Sequence, residues 1–193
     1  LIDKARVLAR VNVAAFGNGD EPIVVNSAGC GALLKEYGHL LGDDAGARFG
    51  ARVRDVTELL AGDAMRGPVA GAPLDLHVAY DPPCHLLHAQ GVAVPPLKLF
   101  AAIPLLELVP VPGAAECCGS AGLFSVLEPE MSRAVLAVKI ERLRTAAPQI
   151  VATGNPGCQM QIGAGLKAAG SAVAVRHPVE LLDEAYRAAG RYE

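Results

Sequence analysis

Five cysteines carry the most specific chemical signal in this chain of 193 residues. Cys117 and Cys118 are adjacent and are followed by Gly119, while Cys84 and Cys158 each follow a proline or a glycine. A disulfide between neighbouring residues closes a strained ring, and two adjacent thiolates repel each other unless a cation lies between them. The pattern therefore indicates a soft cationic centre rather than a disulfide framework.

The residues alone leave two other interpretations of these cysteines open. A single cysteine is most often a small buried hydrophobic side chain, although a Cys-Cys-Gly run with two further cysteines in turns is not typical of that role. Zinc is the second alternative, because His85, His88 or His177 could complete a site with the thiolates. The protein would then be a zinc-stapled domain that holds partner subunits and has no redox activity.

The overall composition argues against several classes of protein. The net charge is −3 and only 4% of residues are aromatic, so nucleic-acid binding has little support. The longest apolar stretch, residues 91–115, contains Lys98, Glu107 and five prolines, whereas a membrane-spanning helix needs ~20 mostly apolar residues in regular backbone. An odd number of cysteines without a visible secretion signal indicates a reducing, cytoplasmic compartment. Any membrane association is expected to be peripheral, on the inner face and through partners.

Two segments of the chain are similar to each other and indicate a duplication. Residues 5–60 and 132–182 each contain an amphipathic helix, a short apolar strand, a turn ending in Gly-Cys, a further helix and a Val-Arg tail. Cys30 ends the turn of the first segment, and Cys158 ends that of the second. The tails read VRDVTELL from Val53 and VRHPVELL from Val175.

The duplication predicts two domains. Residues 1–62 would be the C-terminal part of a first repeat, and residues 74–193 would be a complete second repeat. The Gly-, Ala- and Pro-rich stretch 61–73 is the predicted linker. The first repeat lacks an equivalent of residues 74–127, and the chain does not begin with methionine. We therefore expect a fragment or processed product that starts inside the first repeat.

Strands that alternate with helices predict an α/β fold, built of two repeated Rossmann-like halves with mostly parallel sheets, the first half truncated. The predicted strands are residues 23–26, 74–80, 106–109, 149–153 and 172–175. The clearest helix runs from Pro129 to about Ala146, and Met131, Val135 and Val138 share its predicted buried face. Ligands gather at the carboxyl ends of parallel strands, and a helix N-terminus favours a thiolate, so the turns after the strands are the predicted site.

With these motifs the chain resembles the C-terminal cysteine-rich region of the iron–sulfur subunit of bacterial glycolate oxidase. The wider group shares the CCG domain and includes the heterodisulfide reductase B subunit and the lactate-utilisation iron–sulfur protein. The resemblance extends over most of the chain. The segments that carry it are NSAGCGALLKEYGHLL from Asn26, YDPPCHLLHAQGV from Tyr80, ECCGSAGLFS from Glu116, EPEMS from Glu128 and NPGCQMQI from Asn155.

The resemblance implies a [4Fe–4S] cluster held by four thiolates, those of Cys84, Cys117, Cys118 and Cys158. The family pattern has one cysteine, then Cys-Cys-Gly, then Cys-x-x-Cys at intervals of this size; here 32 residues lie between Cys84 and Cys117, and 39 between Cys118 and Cys158. Three positions after Cys158 the chain has Gln161 instead of cysteine. A four-thiolate cluster is therefore expected in place of the five-cysteine noncubane cluster of the heterodisulfide reductase relatives.

Cys30 corresponds to the late cysteine of the first repeat. Its Cys-Cys-Gly partners would precede Leu1, so Cys30 is predicted to be a ligand of an incomplete first metal site. In the second repeat, Gly119, Pro156 and Gly157 are expected to shape the turns that carry the cysteines.

The resemblance further implies an electron-transfer subunit of a complex that oxidises glycolate or D-lactate. A flavin-containing subunit would take hydride from the substrate, and this chain would relay single electrons to a quinone or another acceptor. No flavin fingerprint is visible in the sequence, so the substrate chemistry is expected on a partner subunit. Thiol or disulfide reduction of the heterodisulfide reductase type is the alternative activity.

Overall fold

The computed structural model describes residues 1–17, 19–62 and 67–192. The elements before residue 63 are α1 (Ile2–Phe16), β1 (Ile23–Val25), α2 (Ala28–Lys35), α3 (Tyr37–Leu41), α4 (Asp44–Arg52), β2 (Val53–Asp55) and α5 (Val56–Ala61). β1 and β2 form a parallel pair with Ile23 beside Val53. These two residues pack with Ala9 of α1, Tyr37 of α3 and Phe49 of α4 in a small core of their own.

The part of the chain after residue 66 is built on a four-stranded sheet. Its elements are β3 (Leu76–Tyr80), a π-helical turn (His85–Ala89), α6 (Pro95–Ala101), β4 (Leu106–Leu108), α7 (Phe124–Leu127), α8 (Pro129–Ala146), β5 (Ile150–Ala152), α9 (Pro156–Ala168), β6 (Ala174–Arg176) and α10 (Pro178–Ala188). The strand order is β4–β3–β5–β6, and every pairing in it is parallel. β3 and β5 are therefore the central strands.

Both faces of this sheet are covered by helices. Successive side chains on a strand point to opposite faces. Val78 of β3 and Ala152 of β5 accordingly pack against α6 and α10, while Ala79 and Val151 pack against α8 and α9. All four of these residues are fully buried, as parallel strands covered on both faces usually are. The predicted α/β class with parallel sheets is confirmed.

The structure extends the predicted set of strands by one. The sequence does not predict β2, because Val-Arg-Asp has no apolar pattern of its own, and only its pairing with β1 makes it a strand. The division into residues 1–62 and 74–193 stays a prediction, and the predicted linker includes residues 63–66, which lie outside the described residues. The described helices include none that is both long and apolar enough to cross a membrane.

The predicted buried face of α8 was wrong. Met131 is 59% exposed and Val138 is 48% exposed, whereas Ser132, Lys139, Ile140 and Leu143 are buried. The buried stripe contains two polar residues because both have internal partners, described below. A count of apolar residues along the helix therefore selected the wrong side.

The duplicated segments share five elements in the same order, and the first segment has two further helices, α3 and α4, before β2. The helix, strand, helix, strand and helix of the first copy are α1, β1, α2, β2 and α5, and those of the second are α8, β5, α9, β6 and α10. The turn after β1 lies against the turn after β5, since the backbone N–H of Ala28 donates to the carbonyl of Gly154 (3.2 Å). Gln90 Nε2 also donates to the Ala28 carbonyl (2.8 Å). These contacts join the first copy to the predicted second repeat beside the turns that carry cysteine.

Candidate metal centre

All five cysteines line one cavity of about 760 Å³. They follow the carboxyl ends of strands β1, β3 and β5 or lie in the loop after β4, and the carboxyl ends of parallel strands meet at one edge of a sheet. The cavity is also lined by Ser120, Asn155 and Gln161. The predicted ligands Cys84, Cys117, Cys118 and Cys158 are thus brought together, as spacing alone could not guarantee.

Cys118 and Cys158 form the buried part of this cavity. Each is 4% exposed, and their Sγ atoms lie 2.9 Å apart within a shared hydrogen bond. The hydrogen bond between the two sulfurs, together with that from the Ser120 N–H, lowers the pKa of Cys118 to about 7 against the cost of burial. The pKa of Cys158 is raised by its hydrogen bond with Cys118 and by burial. The lowered pKa of Cys118 favours its thiolate, which is the form that binds a soft metal.

Cys84 and Cys117 lie on the more open side. Burial is the main cause that raises the pKa of the Cys84 thiol, and the neighbouring Cys117 and Cys118 sulfurs raise it further. The N–H of Gly119 donates to Cys117 Sγ over 3.3 Å and turns the backbone around that sulfur.

Gly119 is required by the shape of the Cys-Cys-Gly turn. Its φ is +82°, and a Cβ added there would lie 2.5 Å from the carbonyl oxygen of Ser132. The Ser132 hydroxyl donates to the Gly119 carbonyl (2.8 Å) and accepts from Gln161 Nε2 (2.9 Å). Gln161, which stands where the family pattern has cysteine, therefore supports the turn through α8 and adds no sulfur to the site.

The structure places Cys30 on the same cavity as the other cysteines, not at a separate position. Its side chain is exposed, and the turn that carries it is attached to the second repeat. Asn155 Oδ1 accepts from the N–H of Gly29 (3.2 Å), while Asn155 Nδ2 donates to Cys158 Sγ (3.3 Å). One amide side chain thus connects the Cys30 turn to the Cys158 sulfur.

The three histidines considered for zinc occupy different positions. His85 lines the cavity, and its Nδ1 lies 3.7 Å from Cys84 Sγ. His177 caps α10, its Nδ1 accepting from the N–H of Val179 (3.2 Å), and neither it nor His88 lines the cavity. Across the described ranges, no three Cys, His, Asp or Glu side chains converge closely enough to hold one metal ion. The cysteine thiols line the walls of a cavity and do not converge on a single position.

A buried ion pair next to the cavity is a feature that the sequence did not predict. Lys139 Nζ lies 2.7 Å from Asp81 Oδ1, and the two side chains are 1% and 3% exposed. The Thr153 hydroxyl donates to Asp81 Oδ2 (3.1 Å). Neither Asp81 nor Lys139 is among the site residues predicted from the sequence. One sequence feature could have indicated that Asp81 lies near the site, namely an aspartate that directly follows a predicted strand and precedes a cysteine.

The thiol set fits an iron–sulfur group, since thiolates with backbone and amide N–H donors to sulfur are the surroundings that such clusters use. The fold and cavity define a parallel α/β protein with a thiol-lined cavity at the carboxyl ends of its strands. Residues 78–163 match the family described as the CCG cysteine-rich domain. The chain belongs to this family.

Curated relatives of the chain are similar over most of its length. It is 33% identical to the probable glycolate oxidase iron–sulfur subunit of Bacillus subtilis, over 92% of this chain and 42% of that protein. It is 30% identical to lactate utilization protein A of Geobacillus kaustophilus, over 94% of this chain and 77% of that protein. It is 32% identical to the glycolate oxidase iron–sulfur subunit of Escherichia coli, over 95% of this chain and 45% of that protein. The chain thus spans less than half the length of these glycolate oxidase subunits.

Proposed function

We propose that this chain is the iron–sulfur electron-transfer part of a complex that oxidises a 2-hydroxy acid, glycolate or D-lactate. The observation that carries the proposal is the convergence of Cys84, Cys117, Cys118 and Cys158 on one cavity, with the two buried sulfurs in contact. The names of the relatives support the electron-transfer role, since they include iron–sulfur subunits of glycolate oxidase.

The same four cysteines would hold a [4Fe–4S] cluster. A bound cluster of this kind takes up and gives back single electrons. The chain itself would bury the sulfurs of Cys118 and Cys158, and would donate hydrogen bonds to Cys117 from Gly119 N–H and to Cys158 from Asn155 Nδ2. N–H donors to sulfur stabilise negative charge there, so they favour the ligating thiolate form.

The arrangement of the thiols favours a cluster over a single zinc ion. A structural zinc site needs about four ligands within ~2.0–2.3 Å of one point. No such convergence of Cys, His, Asp or Glu occurs among the described residues, while the cavity has room for a group of several atoms. Cys30 is exposed and lines the same cavity, so it is a fifth sulfur within this space.

The proposed partners are a flavin-containing subunit that takes hydride from the hydroxy acid, and a quinone or other acceptor. The cysteine-lined cavity would hold the redox group, and it lies where the two predicted repeats meet. Cys30 and Cys117 are exposed on it, so a partner would approach the redox group from their side. Substrate oxidation would occur on the flavin subunit, and this chain would carry the electrons from the flavin to the acceptor.

Anaerobic reconstitution with iron and sulfide tests the ligand assignment. Purified chain should gain stoichiometric iron and acid-labile sulfide, a dithionite-bleachable visible absorption and an electron paramagnetic resonance signal on reduction. Cys117→Ala and Cys118→Ala should each lose most of the iron. Wild-type iron content in both variants would refute the assignment, and a colourless chain with stoichiometric zinc would favour the zinc-stapled alternative.

A second experiment tests the place of the chain in a complex. The reconstituted chain would be mixed anaerobically with a flavin-containing glycolate oxidase subunit and either glycolate or D-lactate. Bleaching that requires both the flavin subunit and a hydroxy acid is the expected result. Bleaching by a low-molecular-weight thiol, with turnover of a disulfide, would favour thiol or disulfide reduction instead.

A further inference from the structure

The buried Lys139 ammonium lies at the centre of a polar network beside the cysteine cavity. Besides Asp81, it donates to the carbonyl of Ala114 (2.6 Å), and it lies 3.5 Å from that of Gly113. Asp81 accepts a second hydrogen bond from the Thr153 hydroxyl (3.1 Å). The ammonium and both carboxylate oxygens therefore have polar partners within the protein, as buried charges require.

The members of this network come from the three segments that carry the predicted ligands, with Thr153 joined to Lys139 through Asp81. Asp81 is in the turn between β3 and Cys84, Ala114 is in the loop that leads to Cys117 and Cys118, and Thr153 is in the turn between β5 and Cys158. The segments are also joined at the backbone, since Asp81 N–H donates to the Ala152 carbonyl (2.9 Å). One side chain on α8 thus contacts or bridges to every cysteine-bearing segment of the second repeat.

An ion pair at this depth is a poor means of adding stability. Desolvation of two charges can exceed their mutual attraction, so well-packed apolar residues often serve stability as well or better. An ammonium that donates to both a carboxylate and a carbonyl fixes the distance between those two groups. An apolar side chain imposes no such distance. The network is therefore better explained by the geometry that it imposes than by the free energy of unfolding that it contributes.

We propose that Lys139, acting through Asp81 and Thr153, is a positioning residue that holds the three cysteine segments at the separation needed to bind the cluster. The inference rests on the proposed function for the identity of the bound group, but not for the positioning of the thiols, which can be measured without metal. Removal of the network should let the segments move apart while the sheet and its helices stay folded.

The main test is the double variant Lys139→Met with Asp81→Asn, which removes both charges without leaving one buried alone. Lys167→Met is the matched control, since Lys167 is an exposed lysine on the neighbouring helix α9. Circular dichroism and thermal unfolding of the metal-free proteins report the fold. Alkylation of Cys118 and Cys158 by iodoacetamide, followed by mass spectrometry under reducing conditions, reports the positions of the buried thiols.

In the folded double variant, alkylation of Cys118 and Cys158 should be about tenfold faster than in wild type, because the segments open locally. Iron affinity after anaerobic reconstitution should fall about tenfold or more, and the midpoint potential and paramagnetic signal of the bound fraction should change. The control should match wild type in each measurement. A folded double variant with unchanged alkylation, iron content and potential would overturn the proposal.

The outcomes separate the two proposals. If wild-type chain takes up no iron but the double variant is alkylated faster, the positioning role stands and the proposed function fails. If the double variant does not fold, Thr153→Val decides, because it removes one hydrogen bond to Asp81 and leaves the ion pair in place. Faster alkylation of Cys158 and weaker iron binding in that variant support the positioning role, and wild-type values for both refute it.

Discussion

The two Gly-Cys turns of the duplicated segments have the same local design but different surroundings. In each, a short parallel strand ends, a turn of small residues follows, and the cysteine lies in the first turn of a helix, α2 or α9. Cys30 is exposed, whereas Cys158 is buried against Cys118 and accepts from Asn155. The local pattern thus places a thiol at the edge of the sheet, and the neighbours from elsewhere in the chain decide whether it is buried.

The N-caps of α5 and α10 show a second difference between the copies. Both helices begin with a capping box, formed by Asp55 with Glu58 in the first copy and by His177 with Glu180 in the second. The carboxylate and the imidazole accept the same kind of backbone hydrogen bond. Burial raises the pKa of the Asp55 carboxyl and lowers the pKa of the His177 imidazole, so stability should change with pH in opposite directions in the two copies.

The largest expected difference between the two turns is in metal binding. Cys158→Ala should lose most of the iron taken up on anaerobic reconstitution, because it removes a buried residue that we propose as a ligand, and with it one sulfur of the contact with Cys118. Cys30→Ala should keep iron and sulfide contents close to wild type. Equal loss in the two variants would show that Cys30 ligates the same centre, and would replace a four-thiolate site with a five-thiolate one.

Asn155→Ala tests the amide that joins the turns. It removes the hydrogen bonds to Gly29 N–H and Cys158 Sγ, so the free energy of unfolding should fall by about 1–2 kcal/mol in urea denaturation. The centre should also become harder to reduce, because a donor to sulfur is lost. Ser27→Ala is the control, since its hydroxyl lies 3.5 Å from Asn155 Oδ1 and should contribute less than about 0.5 kcal/mol. Similar effects of both substitutions would contradict the bridging role.

His177 should make the second copy sensitive to mildly acidic pH. Burial lowers the pKa of His177, so between that value and the pKa of about 6.5 in the unfolded chain, unfolding takes up a proton. The His177 contribution is therefore fully present above about pH 6.5 and is lost as the pH falls. Thermal unfolding from pH 7.5 to 5.5 should show a smaller decline in His177→Asn, which keeps a capping side chain, than in wild type or in the exposed-site control His88→Asn. Equal declines would exclude this role.

Asp55 should give the smallest effect, with the opposite sign. Burial is the main cause that raises the pKa of Asp55, so the folded chain binds its proton more tightly than the unfolded chain does. Its ionisation therefore disfavours folding as the pH rises above about 3.9. Asp55→Asn keeps an N-cap and should change the free energy of unfolding by less than about 1 kcal/mol at pH 7. A loss of several kcal/mol would mean that the carboxylate has a partner beyond the cap.

Much of the fold could be predicted because its signals are local. Short apolar strands, turns of Gly, Pro and Asn, and proline at the first position of α8 and α9 define elements without knowledge of their neighbours. β2 was not predicted, because a three-residue strand with a central arginine has no apolar pattern and is a strand only through its pairing with β1. The predicted buried face of α8 was wrong because Ser132 and Lys139 are buried and bonded to polar partners, which hydrophobic periodicity cannot detect.

The sequence by itself determined the parallel α/β architecture, and it predicted the duplication and the four cysteines proposed as ligands, since each depends on residue types at short or regular spacing. Tertiary structure alone decided that Cys30 shares the cavity, that Asn155 joins the two turns, and that Lys139 pairs with Asp81. These contacts link residues far apart in the chain, 58 positions in the case of Lys139 and Asp81. Burial and hydrogen-bond partners at such separations follow from how the helices pack on the sheet, and no local pattern encodes that.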